Sequence, residues 1–254
     1  MANATLSMIL DPLKCPTVSI CTLTYNRRVF LPLLKECILR QKYPHHKIEW
    51  LILDDSDEYS DELEFGKLDL IQLKYQRLKA RLSLGKKRNL AHRLCSGDII
   101  VYMDDDDFYS PQRIRHAVQV LLSSGHSIAG CTLLPIYFLH DQQLWLSGPF
   151  ANNHATAGTF AMTREFALSN SYDPEDTCNE ERKFLKDYTV PMAQLDVLKT
   201  MICISHLSNT FDKKKMRLNG QSPRMREIQL RDLGALGEHF NSAHYLSLYD
   251  NKTP

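Results

Sequence analysis

In the stretch Ile99-Ile100-Val101-Tyr102-Met103-Asp104-Asp105-Asp106-Asp107-Phe108-Tyr109, a short apolar run stops abruptly in four consecutive carboxylates. A run of this length and composition predicts a buried strand. Ser110-Pro111 follow as a helix start, Ser110 suited to the cap and Pro111 to the first helical position. The acids are thereby placed at the carboxyl end of a strand, where open α/β sheets bind their ligands. Adjacent carboxylates repel one another and are costly to bury unpaired, so they require compensating positive charge. A magnesium or manganese ion, held by hard oxygen donors and leaving positions for substrate phosphates, meets that requirement. A solvated acidic turn capping the next helix has the same composition, and the run by itself does not separate the two.

Upstream, Val18 to Leu23 predicts a first strand, broken by the polar loop Thr24-Tyr25-Asn26-Arg27-Arg28. Leu31 to Gln41 then places Leu31, Leu34 and Ile38 at helical spacing, and Glu49 to Leu53 predicts a second strand ending in Asp54-Asp55. Strand, helix and strand make a βαβ unit, hence a parallel sheet with a right-handed crossover. Asp54 and Asp55 sit at that strand end, whereas Asp57, Glu58 and Asp61 read as an ordinary acidic loop. A third strand is expected at Leu70 to Tyr75. Gly85-Lys86-Lys87-Arg88 then opens a helix running to about Cys95, and lysines at a helix N-terminus oppose its dipole unless an anion is present, which favours a phosphate-facing role over the alternative of a solvated basic face.

Downstream, a helix is predicted from Pro111 to Ser123, followed by a hairpin of Ile128 to Leu139 with Leu144 to Leu146. Ala151 to Met162 is rich in small residues that allow close approach to the backbone. A helix beginning near Cys178 carries Glu180-Glu181, which is also plain helix N-terminal chemistry. A last strand, Thr200 to Ile204, leads to His206, then a basic loop around Asp212 to Lys215 and Gly220 to Pro223, and a helix from Met225 to Phe240.

With 254 residues, 43% of them hydrophobic, the chain can bury a large single core. A formal charge of +1 gives no case for a nucleic-acid partner. The seven cysteines lack CxxC or CxxH pairing, which points to a reducing, cytoplasmic compartment. The apolar patch Leu6 to Leu10 is too short to span a bilayer, so no transmembrane segment is expected.

The order of these features resembles family 2 glycosyltransferases of the GT-A (nucleotide-diphospho-sugar transferase) fold. The matching residues are Val18 to Arg27, Leu51 to Asp55, Gly85 to Ala91, Tyr102 to Arg113, Glu180-Glu181 and His206 to Thr210. The resemblance implies an α/β GT-A fold: a Rossmann-like, mostly parallel central sheet flanked by helices, with a small antiparallel sheet on the acceptor side. It implies one catalytic domain over residues 1–254, with an N-terminal extension to 15, a nucleotide-binding half over about 16–110, a sugar and acceptor half over about 111–212, and a basic loop and C-terminal helix beyond.

By the same resemblance, Thr22, Thr24, Tyr25, Asn26, Arg27 and Asp55 line the base and ribose pocket of a nucleotide sugar, with a UDP-sugar as expected donor. Arg81 and Arg88 hold the base side or the diphosphate. Asp104 and Asp105 contact the ribose or metal, and Asp106, with Asp104 and His206, holds Mn2+ or Mg2+, the register within the acidic run being open by one residue. Glu181, or else Glu180, stands where inverting members carry the base that takes a proton from an acceptor hydroxyl on a glycan or glycoconjugate. Small residues around Gly158 floor the sugar site, with His154 at its edge. A sugar-phosphate nucleotidyltransferase would share the sheet but carry a glycine-rich loop after the first strand, and Thr24 to Arg27 contains no glycine. A non-catalytic sugar-nucleotide-binding relative would have no need to keep a repulsive acidic cluster.

Overall fold

All residues of the first strand, β1 (Val18–Thr24), are buried. Its alternating side chains feed two cores, Val18 and Ile20 on one face and Cys21 and Leu23 on the other. A near-continuous apolar strand is what a sheet covered on both faces requires. In the computed structural model, which describes residues 14–58, 65–177, 180–209, 213, 217 and 225–250, β1 leads through a 3-10 turn into α1 (Leu31–Leu39), whose Leu31, Leu34, Cys37 and Ile38 face the core. β2 (Ile48–Asp54), β3 (Gln72–Arg77), α2 (Leu84–Leu94) and β4 (Ile99–Tyr102) follow. Next come β5 (Phe108–Tyr109), α3 (Arg113–Ser124), β6 (Ile128–Gly130), β7 (Leu134–Phe138), β8 (Gln143–Ser147), β9 (Ala161–Thr163) and α4 (Arg164–Ser169). The chain continues through α5 (Glu181–Phe184), β10 (Ala193–Gln194), β11 (Met201–Ser205), β12 (Arg226–Ile228), α6 (Gly234–His239) and α7 (Ser242–Asp250).

Seven strands form the central sheet in the order β10-β6-β9-β4-β1-β2-β3. Only β9 runs against the others, pairing antiparallel with β4 and β6. The expected βαβ unit is present, with β1 parallel to both β2 and β4. A second, five-stranded sheet has the order β12-β8-β7-β11-β5. The carboxyl ends of β1, β2 and β4 therefore open together, and Thr24 to Arg27, Asp54-Asp55 and the acidic run leave the sheet at one edge.

Several boundaries differ from those expected. Phe108-Tyr109 is a strand paired with β11 rather than a run into a helix, so α3 begins at Arg113, and Ser110 Oγ instead accepts from the Gln112 N–H at 3.2 Å. The apolar run from Ile128 to Leu139 divides at Cys131 to Leu133, because β6 pairs in the central sheet and β7 in the second. Residues 225–240 do not form one helix: Arg226–Ile228 pairs antiparallel with β8, and only Gly234–His239 is α-helical. The basic loop at 212–215 and 220–223, apart from Lys213, lies outside the described residues, as do the N-terminal patch and Asp61. None of the six described cysteines is disulfide-bonded, and among the described residues no helix is long and apolar enough to cross a membrane.

Candidate active site

Two adjoining cavities open at the ligand edge. The wider, about 830 Å³, is lined by Thr24, Tyr25, Asn26, Arg27, Asp55 and Arg81 among others. The smaller, about 320 Å³, is lined by Arg88, Asp104, Asp106, Gly158, Glu180 and Glu181 among others. Arg27 and Asn209 line both cavities and so mark the junction between them.

The acidic run divides its tasks at this junction. Asp106 is the hub: its Oδ2 accepts from Arg27 Nη1 at 2.6 Å and Asn209 Nδ2 at 3.1 Å, and lies 3.0 Å from His206 Nε2. Burial opposes charge on Asp106, yet Arg27 and His206 outweigh it and hold the carboxyl well below its usual range. Asp105 faces Arg27 at 3.2 Å, but neither of its oxygens has a hydrogen bond. Burial pushes its carboxyl up to about 7, with Arg27 pulling it down and Asp106 up. Asp107 ties the loop to the second sheet, its Oδ1 accepting the Ile204 N–H at 2.8 Å. The loop is closed by the Asp104 N–H, which donates to Tyr109 Oη at 2.6 Å.

Gly158 lies under Asp104, where a Cβ would stand 2.9 Å from Asp104 Oδ2, so any side chain here would displace that carboxylate. The buried Arg113 fixes the same floor, its Nη2 donating to the carbonyls of Thr159 and Phe160, each at 2.8 Å.

Across the smaller cavity, Glu180 and Glu181 stand at the start of α5. Glu180 Oε1 accepts from Arg88 Nε at 2.7 Å, and both side chains are buried. Glu181 Oε1 accepts the Ala157 N–H at 3.0 Å. Burial, reinforced by the neighbouring Glu180, raises the Glu181 carboxyl above its usual range. Arg88 therefore braces Glu180 and sits in the smaller cavity, away from the wide cleft. Beneath it lies the ring of Tyr102, 4.6 Å from the guanidinium, and Tyr102 is bonded in turn to His92. Burial and Arg88 lower the His92 imidazole to about 4, which keeps it neutral in this network. Removing one member of a buried ion pair strands the other, so Arg88→Ala is expected to cost about 3–5 kcal/mol of stability. Urea unfolding checks this, and a loss below about 1 kcal/mol would mean that the pair is solvated.

The basic cluster of α2 does not face an open anion site. A Cβ on Gly85 would fall 1.8 Å from the Asp173 carbonyl oxygen, so the helix start is closed over by that segment. Lys86 pairs with Glu175 at 2.8 Å, and Lys87 bonds Asp55 and the Thr24 carbonyl. The charges that looked to need phosphate are met by carboxylates far away in sequence.

In the wide cleft, Tyr25 offers its ring, on which the Arg81 guanidinium lies at 4.0 Å. Asn26, with φ of 53°, is locked by Asp57: its Nδ2 donates to Asp57 Oδ2 at 2.9 Å, and the Asp57 N–H returns to Asn26 Oδ1 at 3.0 Å. Asp57, expected as an ordinary loop acid, shapes the cleft. Asp55 lines it too, with its oxygens engaged by Lys87 and by the Leu82 N–H at 2.9 Å. Thr24 Oγ1 is buried without a hydrogen bond.

Thr22 does not reach either cavity. Its hydroxyl accepts from Trp50 Nε1 at 3.0 Å and donates to the Met103 carbonyl at 2.8 Å. Thr22→Val is expected to cost about 1–3 kcal/mol in a denaturant melt by leaving the indole N–H unpaired. Nucleotide affinity should stay within about twofold; a larger change would put Thr22 in the cleft.

His206 is held in place from several sides, its backbone N–H donating to Asn209 Oδ1 at 2.7 Å. Phe30 lies against its ring at 4.6 Å between centroids, the Ser208 N–H donates to Nδ1 at 3.2 Å, and Nε2 faces Asp106. Asn209 and Lys213 were not among the expected site residues, although Asn209 belongs to the segment after His206 that carries the resemblance, and both line the smaller cavity. Among the described residues no three His, Cys, Asp or Glu side chains converge into a metal shell. Asp106 Oδ2 and His206 Nε2 are nevertheless spaced as neighbouring ligands of one octahedral ion would be, about 3.0 Å apart for bonds of ~2.1 Å. The buried Asp105 carboxyl in the same run is ion-paired with Arg27 but has no hydrogen bond.

The model of glycosyl transferase family 2 matches residues 19–178, well over half of the chain. The chain belongs to that family. Among solved structures, residues 1–349 of TarS from S. aureus in complex with UDP superimpose with a TM-score of 0.61 at 16% identity, covering 75% of this chain and 61% of that one. The same TarS fragment with UDP-GlcNAc gives 0.59 at 14% identity, covering 93% and 74%. The mannosyltransferase PcManGT from Pyrobaculum calidifontis, in complex with GDP-Man and Mn2+, gives 0.56 at 16% identity, covering 80% and 62%. The first structures matched are longer, and the chain spans about three fifths of their length. No curated protein sequence matches the chain. At these identities the likeness establishes the fold, an α/β GT-A fold with a mostly parallel central sheet and a second, smaller one.

Proposed function

We propose that this family 2 member is a glycosyltransferase that moves a sugar from a UDP-sugar to a hydroxyl of a glycan or glycoconjugate, with inversion at the anomeric carbon and with Mn2+ or Mg2+ as cofactor. The observation that carries this reading is the junction of the two cavities, where Arg27, Asn209 and His206 converge on Asp106. A nucleotide in the wide cleft has its diphosphate at that junction and its sugar in the smaller cavity, facing Glu181. Both UDP and UDP-GlcNAc are bound by TarS, which supports a uridine donor.

Tyr25 supplies the flat face for the base, with Arg81 and the base as alternatives for that face. Asp55 keeps lone pairs beyond its bonds to Lys87 and Leu82, enough to accept a hydrogen from a ring nitrogen. Asp106 and His206, with Asp104 beside them, would hold the divalent ion, and phosphate oxygens would complete its shell. When bound, such an ion neutralises charge on the departing nucleoside diphosphate. Arg27 adds a fixed positive charge at the same place, its pKa raised although burial opposes this, because the four acids outweigh it.

Glu181 is the base. The acceptor oxygen attacks the anomeric carbon, the bond from that carbon to the diphosphate oxygen breaks, and the hydroxyl proton passes to Glu181. Attack from the face opposite the leaving group inverts the centre. Both glutamates line the cavity, but Glu180 is committed to Arg88, whereas Glu181 accepts only a backbone N–H and has a raised pKa. Residues from both halves of the chain line the two cavities, which supports one catalytic domain. The six described cysteines are buried and unbridged, which supports a reducing, cytoplasmic setting.

Thermal unfolding with Mn2+ and a panel of UDP- and GDP-sugars tests the donor. A UDP-sugar at about 100 times its Kd should stabilise the fold by about 2.7 kcal/mol. The reading fails if no nucleotide sugar raises Tm, and a response confined to GDP-sugars would overturn the uridine assignment.

A further inference from the structure

A stack of three aromatic rings borders the smaller cavity. His154 lies 4.7 Å from Phe150 and 4.1 Å from Tyr188, ring centroid to centroid, with interplanar angles of 25° and 26°. All three residues are only half-buried, with Tyr188 packed against the edge of one core. Phe150 lines the cavity that also holds Glu181. Its backbone is pinned from both sides, its N–H donating to the Thr132 carbonyl at 3.0 Å and its carbonyl accepting from Thr132 Oγ1 at 3.1 Å.

Tyr188 reaches the stack through an unusual backbone. Lys186, Asp187 and Tyr188 have φ of 51°, 54° and 61°, three successive non-glycine residues in the left-handed region. Side chains disfavour this conformation, and it persists only where neighbouring structure enforces it. Here the Asp187 N–H donates to the Arg182 carbonyl at 2.8 Å, and Arg182 Nε donates to Asp187 Oδ1 at 2.7 Å. The turn follows directly after the short helix that carries Glu181, so the same segment places the base and the last ring of the stack.

A rigid ring facing a cavity with a carboxylate suits one class of ligand, a ring with an apolar face and hydroxyls at its edge. We propose that Phe150, backed by His154 and Tyr188, is the acceptor platform: a pyranose of the acceptor lays its C–H face on Phe150 and turns one hydroxyl to Glu181. This rests on the glycosyl-transfer reading above and names the acceptor class for it. The cavity, about 320 Å³, has the size of a small-molecule site.

Saturation-transfer NMR tests the platform with methyl pyranosides of glucose, galactose, mannose and N-acetylglucosamine, in the presence of UDP and Mn2+. At least one should receive saturation at ring protons in the wild type. Phe150→Ala should weaken it at least about fivefold, Phe150→Tyr should retain it, and Tyr188→Ala should weaken it without changing UDP affinity. UDP affinity, read in the same samples, confirms that each variant is folded. Equal pyranoside binding by Phe150→Ala, or binding of UDP with no pyranoside bound by the wild type, overturns the platform. Failure of the wild type to bind UDP would instead overturn the donor reading beneath it.

Discussion

Asp106→Ala is expected to abolish metal-dependent nucleotide binding and to lower glycosyl transfer by about 10³-fold or more. The size of the effect follows from the position of the carboxylate. A single oxygen receives Arg27 at 2.6 Å and Asn209 at 3.1 Å and faces His206 at 3.0 Å, so its removal leaves a half-buried guanidinium without its nearest partner and takes away one of the three candidate ion ligands. Asp105, at 3.2 Å from Arg27 and without hydrogen bonds, is too poorly aligned to replace it. Titration with UDP, with and without Mn2+, checks the prediction. Unchanged affinity would move Asp106 out of the site.

Glu181→Gln is expected to leave nucleotide affinity within about twofold and to lower transfer by roughly 10²–10⁴, the usual contribution of a general base. Glutamine keeps the acceptor for the Ala157 N–H but cannot take a proton. The wild-type enzyme should also lose activity as pH falls. Burial and Glu180 raise the Glu181 pKa, so the charged, basic form disappears at a higher pH than for an ordinary glutamate, and the acid limb of the pH profile is displaced upward accordingly. In Glu181→Gln that limb should vanish. Near-wild-type transfer by this variant would shift the role to Glu180, whose bond to Arg88 would then have to break during turnover.

The strands that build the ligand edge were legible because their signal is local. Val18 to Thr24, Ile48 to Asp54 and Ile99 to Tyr102 are apolar on both faces, and each stops where polar residues begin. From those ends alone Arg27, Asp55 and the acidic run could be placed at one edge. Pairings across long stretches of chain were not legible. Phe108-Tyr109 is a strand only because Met201 and Ile202 lie beside it, and Arg226–Ile228 only because β8 offers it an edge. The run from Ile128 to Leu139 is apolar throughout, so nothing in it marks the point where the chain changes sheets.

The same distinction separates the site residues. Asp106 and His206 stand at predicted strand ends, and the structure brings them together across 100 residues. Lys86, Lys87 and Arg88 looked like a phosphate cradle since their dipole conflict is visible in sequence, whereas Glu175, Asp55 and Glu180, which resolve it, are not visible as partners. The resemblance put Thr22 in the base and ribose pocket, but its hydroxyl is taken by Trp50 and Met103. Composition likewise gives no hint that Lys186 to Tyr188 would adopt the left-handed conformation, because no glycine marks the turn.

A crystal grown with UDP and MnCl2, with data collected at the manganese absorption edge, tests the central claim most directly. An anomalous peak contacting the Asp106 carboxylate, His206 Nε2 and the diphosphate, with uracil beside Tyr25, is the result the account predicts. UDP bound in the wide cleft with no manganese peak at Asp106 and His206, or with its diphosphate away from Arg27 and Asn209, would contradict it.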